Sequence, residues 1–550
     1  MRRVRKNIIH DRIFKVLFAS SFLFILLIGR LYWIQIRNHD SLKVQALKQR
    51  SKEVDLYPNR GVIYDRNLIP LTNKDRITTI FTFKDTIINN KNLKNFIINN
   101  SMIDEDLDDY IKSKGTIVDI PLKSNVEGIR NGRNIFVGDR IRRYGDGNTL
   151  SHVIGYINKS ENRGEAGIEK VYDDILKNGE NQSLYIELDE KKNIIYGGEY
   201  AADRKVDSME PSGVKLTIDY HIQKIVEDIL DSGEKNGAVI VADVESGDIV
   251  AMASRPNFNQ EDIDEYLNRE DMVLYNKAIQ VAYPPGSLFK TVVLLTALEE
   301  DLSYVDKTFY CKGYEEINNV VIKCNNIGGH GYITLKEAFA KSCNSAFIQL
   351  GQKLGSTKII DMSKRLGLGE KINIGLIEEI PGNLPSGKEL QGPSIGNISI
   401  GQGSIETTPL QITNMMMIIA NKGIDKGMSI VDGITTKDGH MIKSFNRGEE
   451  ERIVSERSCE ILQDYLQEVV SNGTARSLNL MEIGGAGGKT GSAQAVLNRK
   501  ETIHGWFSGF YPAKDPKYVV TVFVEEGASG SKTAVPIFEK IIKEIYRINR

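Results

Sequence analysis

Ser287 and Lys290 lie one helical turn apart in the stretch Tyr283-Pro284-Pro285-Gly286-Ser287-Leu288-Phe289-Lys290. A serine hydroxyl is a weak nucleophile near neutral pH and needs a base within hydrogen-bond reach. A lysine taken out of water beside the positive end of a helix loses its proton more easily than a free one, so it can be that base. The residues that follow, Leu288, Phe289, Val292, Val293, Leu294, Leu295, Ala297 and Leu298, are apolar on every side. They predict a helix buried in a core, with Ser287 at its N-terminus and Lys290 on the same face. Spacing alone does not select this pair, because Ser212…Lys215, Ser232…Lys235 and Ser529…Lys532 repeat it. Those copies sit in Gly-rich or polar turns, and only Ser287 opens a long apolar helix.

Two further clusters have residue types that could serve a nucleophilic serine. Ser342-Cys343-Asn344 falls where one predicted helix breaks before another, so its side chains can point into a cleft. A hydroxyl there can relay protons, and an amide can hold a peptide group. Lys489-Thr490-Gly491, followed by Ser492, occurs once and has glycines on its N-terminal side. On an edge strand the lysine and threonine could grip a carboxylate while the small neighbours let backbone approach. A phosphate-binding loop is the competing reading of Gly488-Lys489-Thr490, but its first glycine would have to fall at Ile483 and no apolar helix follows.

The elements that must position these residues can be read around them. Gly237 to Asp243 and Asp248 to Ser254 alternate as strands joined by a Glu245-Ser246-Gly247 turn. Thr334-Leu335-Lys336-Glu337 is a capping box opening a helix to about Lys341. Trp506 to Tyr511 and Tyr518 to Val524 read as strands, and Val535 to Asn549 as an amphipathic helix. Strands at both ends with helices between predict one α+β domain over 211–550, its sheet completed by the C-terminus.

Upstream, Arg2, Arg3, Arg5, Lys6 and Arg12 make a basic tail over 1–12, and 13–36 is long and apolar enough for a transmembrane anchor. No small-residue cleavage site follows it, which favours an anchor over a removed signal. The positive-inside rule then puts the tail in the cytoplasm and the rest outside. Residues 37–60 have the helical spacing of a stalk, and 37–210 form a separate extracytoplasmic segment. Its Arg and Gly residues, with Glu169 and His152, read as turn-makers and salt-bridge partners. The chain of 550 residues has net charge −2, giving no electrostatic pull toward nucleic acid. Cys311 and Cys324 flank a short predicted hairpin and could form a disulfide outside the cytoplasm, or remain two thiols. Seven scattered histidines without paired spacing predict no metal site.

The ordered trio Ser287-x-x-Lys290, Ser342-x-Asn344 and Lys489-Thr490-Gly491 resembles that of the penicilloyl-serine transferases. The whole chain resembles a monofunctional class B penicillin-binding protein. Arg60-Gly61…Asp65-Arg66-Asn67 and Tyr144…His152…Gly155-Tyr156 look like that family's extended, dimerisation-type pedestal. Gly401-Gln402-Gly403, Thr408-Pro409-Leu410-Gln411 and His504-Gly505-Trp506-Phe507 look like its transpeptidase-domain signatures. Residues 75–135 match nothing specific, and Cys343 in the middle of the second motif departs from the pattern. The resemblance implies a mainly antiparallel sheet flanked by helices, a D-Ala-D-Ala stem-peptide donor, an amine acceptor, covalent inhibition by β-lactams, a membrane glycan polymerase as partner and no cofactor. It assigns Ser287, Lys290, Ser342 and Asn344 to catalysis and Lys489, Thr490, Gly491 and Ser492 to substrate binding. The backbone N–H groups of Ser287 and Ser492 would form the oxyanion hole. A serine β-lactamase or β-lactam sensor shares the trio, but the former seldom carries so long a pedestal and the latter needs a cytoplasmic signalling portion. A catalytically vestigial scaffold of a wall-synthesis complex is the reading from a different class.

Overall fold

The computed structural model describes residues 2–39, 42, 51–55, 60–103, 106–114, 117–123, 134–145, 147–178, 183–187, 210–445, 447–497 and 500–550. Much of the expected stalk lies outside these residues. Its first described residues continue the helix, with Leu42 N donating to Asn38 O at 2.9 Å, whereas Ser51–Asp55 is a strand paired antiparallel with Ser183–Glu187 in place of the helix that its spacing suggests. Two compact units emerge: Met1–Asn59 with Asp75–Arg142 and Glu180–Asp207, and Arg60–Lys74 with Arg143–Gly179 and Ser208–Arg550.

In the first unit, Arg2–Tyr32 is one helix, and the segment Arg12–Arg37 is long and apolar enough to cross a membrane. The described residues of the otherwise unmatched stretch 75–135 are folded. Asp75–Phe83 is the middle strand of a three-stranded antiparallel sheet, and short helices pack Ile87, Leu93, Ile97 and Ile111 into one core with its Ile80.

In the second unit, the elements around the site are labelled in chain order. The strands are β1 (Gly237–Asp243), β2 (Ile249–Arg255), β3 (Gly487–Leu497), β4 (Lys500–Tyr511) and β5 (Tyr518–Val524). They form one antiparallel sheet in the order β2-β1-β5-β4-β3. The helices are α1 (Lys290–Glu300), α2 (Leu335–Ala340), α3 (Asn344–Leu354), α4 (Pro409–Ala420), α5 (Glu456–Ser471) and α6 (Gly530–Ile548). Val239, Ile240 and Val241 are all fully buried, so both faces of β1 are covered, with α6 packing on β4 and β5 and α4 on β1 and β5. Helix α4 begins as its sequence dictates, with Thr408 and Gln411 closing a capping box and Pro409 at the first helical position.

The segments 60–74 and 143–179 join this second unit through a strand pairing and are held to one another by charge. Ile63–Tyr64 adds as a parallel strand beside Gly213–Leu216. Behind it Glu169 is fully buried, with one carboxylate oxygen accepting from Arg60 Nε at 2.8 Å and the other from Arg143 Nε at 2.7 Å and the Tyr144 hydroxyl at 3.0 Å. Breaking such a network strands uncompensated guanidinium charge in a dry interior. Glu169→Gln is therefore expected to destabilise the chain by about 3–5 kcal/mol, read as a lowered thermal midpoint. A midpoint shift of less than a degree would show the network to be energetically idle.

Candidate active site

Ser287 lies in a single 3-10 turn, Gly286–Phe289, that runs directly into α1. Pro284 and Pro285 fix the approach, and Gly286 turns the chain at φ +55°. A Cβ on Gly286 would sit 2.7 Å from Ser492 O, so the turn presses against the strand that carries the third motif. Gly491 has the same constraint from the other side, since a Cβ there would meet Pro285 O at 2.8 Å. Leu288, Phe289 and Lys290 are buried, while Ser287 keeps partial exposure.

The second motif is a corner between two helices. Helix α2 starts at the predicted capping box, Thr334 with Glu337, and ends at Ala340. Ser342 then takes φ +55°, a left-handed conformation that costs energy for a residue with a Cβ and tends to persist only at functional sites. Cys343 caps α3, its sulfur accepting from Ala346 N at 3.5 Å, and Asn344 is the first residue of that helix. This corner closes on Lys290, whose Nζ lies 2.7 Å from Ser342 O, 3.1 Å from Ser342 Oγ and 2.7 Å from Asn344 Oδ1.

Lys489 enters from β3, the edge strand, and is also fully buried; its Nζ donates to Thr490 O at 3.1 Å. The two lysines stand over neighbouring rings: Lys290 Nζ is 5.7 Å from the centre of Phe347, Lys489 Nζ is 5.6 Å from that of Phe339, and the rings are 6.0 Å apart. Burial pulls Lys290 down to about 7, against a smaller opposing effect of the Cys343 and Cys324 thiols. Lys489 lies well below the ordinary lysine range, first through burial and then through the charge of Lys290. A near-neutral pKa suits an amine that must take and return a proton, while the second buried amine gains its charge only when an anion beside it offsets the desolvation.

Behind the site, the Tyr283 hydroxyl donates to Glu525 at 2.7 Å, and Glu525 also pairs with buried Lys277, tying the start of the serine turn to the end of β5. No motif announces Lys277 or Glu525 in the sequence.

All four cysteines are free thiols, so the bridge suggested for Cys311 and Cys324 is not formed. The hairpin logic considered only sequence neighbours, whereas the fold brings Cys343 between them, 3.8 Å from Cys324 sulfur to sulfur. His330 joins the group, with Nδ1 at 3.7 Å from the Cys324 sulfur, and one donor atom from each of the four residues lies within 4.8 Å of the others. Looking for paired histidines therefore misses this group, which holds one histidine and three cysteines. Three thiols and an imidazole are the donor set of a tetrahedral zinc site, and the hydrogen bond with Cys343 already favours the thiolate of Cys324. Zinc is expected to bind one to one and to shield Cys311, Cys324 and Cys343 from a thiol reagent. Chelation should then lower the thermal midpoint by the equivalent of about 2–4 kcal/mol. Equal thiol reactivity with and without zinc would exclude the site.

Residues 237–543 match the family described as the penicillin binding protein transpeptidase domain. The chain belongs to the penicillin-binding protein transpeptidase family. Stage V sporulation protein D of Bacillus subtilis (strain 168) is 30% identical over 98% of this chain and 86% of its own length. Peptidoglycan D,D-transpeptidase MrdA of Acinetobacter baumannii is 26% identical over 97% of this chain and 88% of its own length. A solved chain described under "Structural coordination of polymerization and crosslinking by a peptidoglycan synthase complex" superposes with a TM-score of 0.69, at 24% identity over 98% of both chains, a likeness of fold.

Proposed function

We propose that this penicillin-binding transpeptidase is a peptidoglycan D,D-transpeptidase working through an acyl-enzyme on Ser287. The observation that carries the reading is the closure of Ser342 and Asn344 on Lys290 at 2.7–3.1 Å, one turn from the partly exposed serine. Ser287 Oγ attacks the carbonyl carbon of the penultimate D-Ala while Lys290 takes its proton. A neutral Lys290 donates to Ser342 O and Asn344 Oδ1, which only accept, and keeps its lone pair for the Ser287 proton. Once protonated, Lys290 donates to Ser342 Oγ at 3.1 Å while Ser342 gives its own proton to the departing nitrogen, so the peptide C–N bond breaks and the terminal D-Ala leaves as an amine. Lys489 and Thr490 take its carboxylate, whose charge offsets the cost of protonating a buried Lys489. The N–H groups of Ser287 and Ser492 hold the oxyanion, and losing one such donor costs about 3–4 kcal/mol. An amine from a neighbouring strand then resolves the ester into a cross-link, and water in its place gives carboxypeptidase side activity. A β-lactam acylates the same serine and leaves slowly.

The long apolar helix serves as a single-pass anchor with the basic tail in the cytoplasm and the catalytic unit outside. Residues between the anchor and 210 act as a pedestal. A membrane glycan polymerase is the partner in keeping with the synthase complex named for the solved relative. Incubation with a D-Ala-D-Ala pentapeptide and an amine acceptor should release D-Ala and yield a product of summed mass less D-Ala. A penicillin adduct should persist on the Ser287 peptide. Rapid nitrocefin turnover without transfer to the amine would favour a β-lactamase and overturn the reading.

A further inference from the structure

Thr474 belongs to none of the three motifs and lies in the turn between α5 and β3. Its hydroxyl is 2.6 Å from that of Thr490, and either oxygen could be the donor. Its backbone N–H donates at 3.1 Å to the carbonyl of Ala340, the last residue of α2. Gly473 presses on the same carbonyl, since a Cβ there would come within 2.4 Å of it. The turn is thus pinned at one end to the helix that leads into Ser342 and at the other to the threonine of the third motif.

A hydroxyl has one proton and two lone pairs, whereas a carboxylate only accepts. When Thr490 gives its proton to a carboxylate, its own oxygen is free only to accept, and Thr474 is the hydroxyl placed to donate. With Thr474 donating, Thr490 is held with its proton turned outward before substrate arrives. Without Thr474, the Thr490 rotor is free, and its hydroxyl, on a residue only 6% exposed, has little water to satisfy it. We infer that Thr474 is a positioning residue for carboxylate recognition, orienting the Thr490 hydroxyl toward the C-terminal carboxylate of the donor peptide or the carboxylate of a β-lactam. This rests on the reading that Lys489 and Thr490 take that carboxylate.

The test compares acylation rate constants for benzylpenicillin as the free acid and as its methyl ester in the wild type, Thr474→Val, Thr474→Ser and Thr490→Val. Valine keeps the shape of threonine and removes the hydroxyl, and serine keeps the hydroxyl. Thr474→Val is expected to lower the acid-to-ester ratio by roughly five- to tenfold, the size of one lost hydrogen bond. Thr474→Ser should restore most of it, with the thermal midpoint near the wild-type value in both. An equal loss on acid and ester in Thr474→Val would mark a merely structural residue and overturn the inference, as would an unchanged ratio there beside a reduced one in Thr490→Val. An unchanged ratio in Thr490→Val would remove the carboxylate pocket itself, and this inference with it.

Discussion

Ser287→Ala is expected to abolish covalent capture of a fluorescent penicillin while leaving the fold intact. The expectation follows from where the hydroxyl sits. Its neighbours Leu288, Phe289 and Lys290 are buried and carry the packing of the turn, while Ser287 is partly exposed. Removing one oxygen there should change stability by less than about 0.5 kcal/mol. In the proposed mechanism the chemistry loses its bond-forming atom, and neither the proposed oxyanion donors nor the lysines can replace it. Competition against the wild type should still reveal reversible binding, because Lys489 and Thr490 are untouched. A variant that kept a denaturation-resistant adduct would move the nucleophile elsewhere, and mapping the labelled peptide would say where. The thiolate-prone Cys324 makes that mapping informative, since an adduct on it would be a thioester in place of an ester.

Those parts of the site that local chemistry specifies were legible from the residues. The Thr334–Glu337 capping box, the break at Ser342 and the buried helix after Ser287 each follow from side chains within a few positions of one another. The edge placement of Lys489 and the closure of the sheet by Tyr518–Val524 follow from alternation and order. What sequence could not give is the consequence of long-range approach. Thr474 and Thr490 are brought together by the α5–β3 turn, and nothing in either neighbourhood requires it. Cys311, Cys324, His330 and Cys343 meet because a strand, a hairpin and a helix corner converge, so counting spacings between histidines misses them. Ser51–Asp55 has helical spacing yet forms a strand, because Ser183–Glu187 supplies a partner from far along the chain.

Acylation should rise with pH below about 7 and level off above it, and Lys290 should be the group responsible. Only the neutral amine can take the serine proton, so about a tenth of the protein is competent at one pH unit below that value and about a hundredth at two. Burial lowers the pKa because the ammonium has exchanged bulk water for Ser342, Asn344 and an aromatic ring. The same shift fixes the sign of a stability effect. Between about 7 and the ordinary lysine value of 10.5 the folded chain holds fewer protons at this site than the unfolded chain, so the contribution of Lys290 to stability rises with pH across that window. Lys290→Met keeps the length of the side chain and removes the base. It is expected to acylate about 10²–10⁴-fold more slowly above pH 7, with the inflection gone. Stopped-flow acylation from pH 5 to 9 reads both quantities at once. An inflection that survived in Lys290→Met would assign the titration to another group. A wild-type profile flat to pH 5 would mean that the three acceptors around Nζ arrange the site without the lysine ever serving as its base.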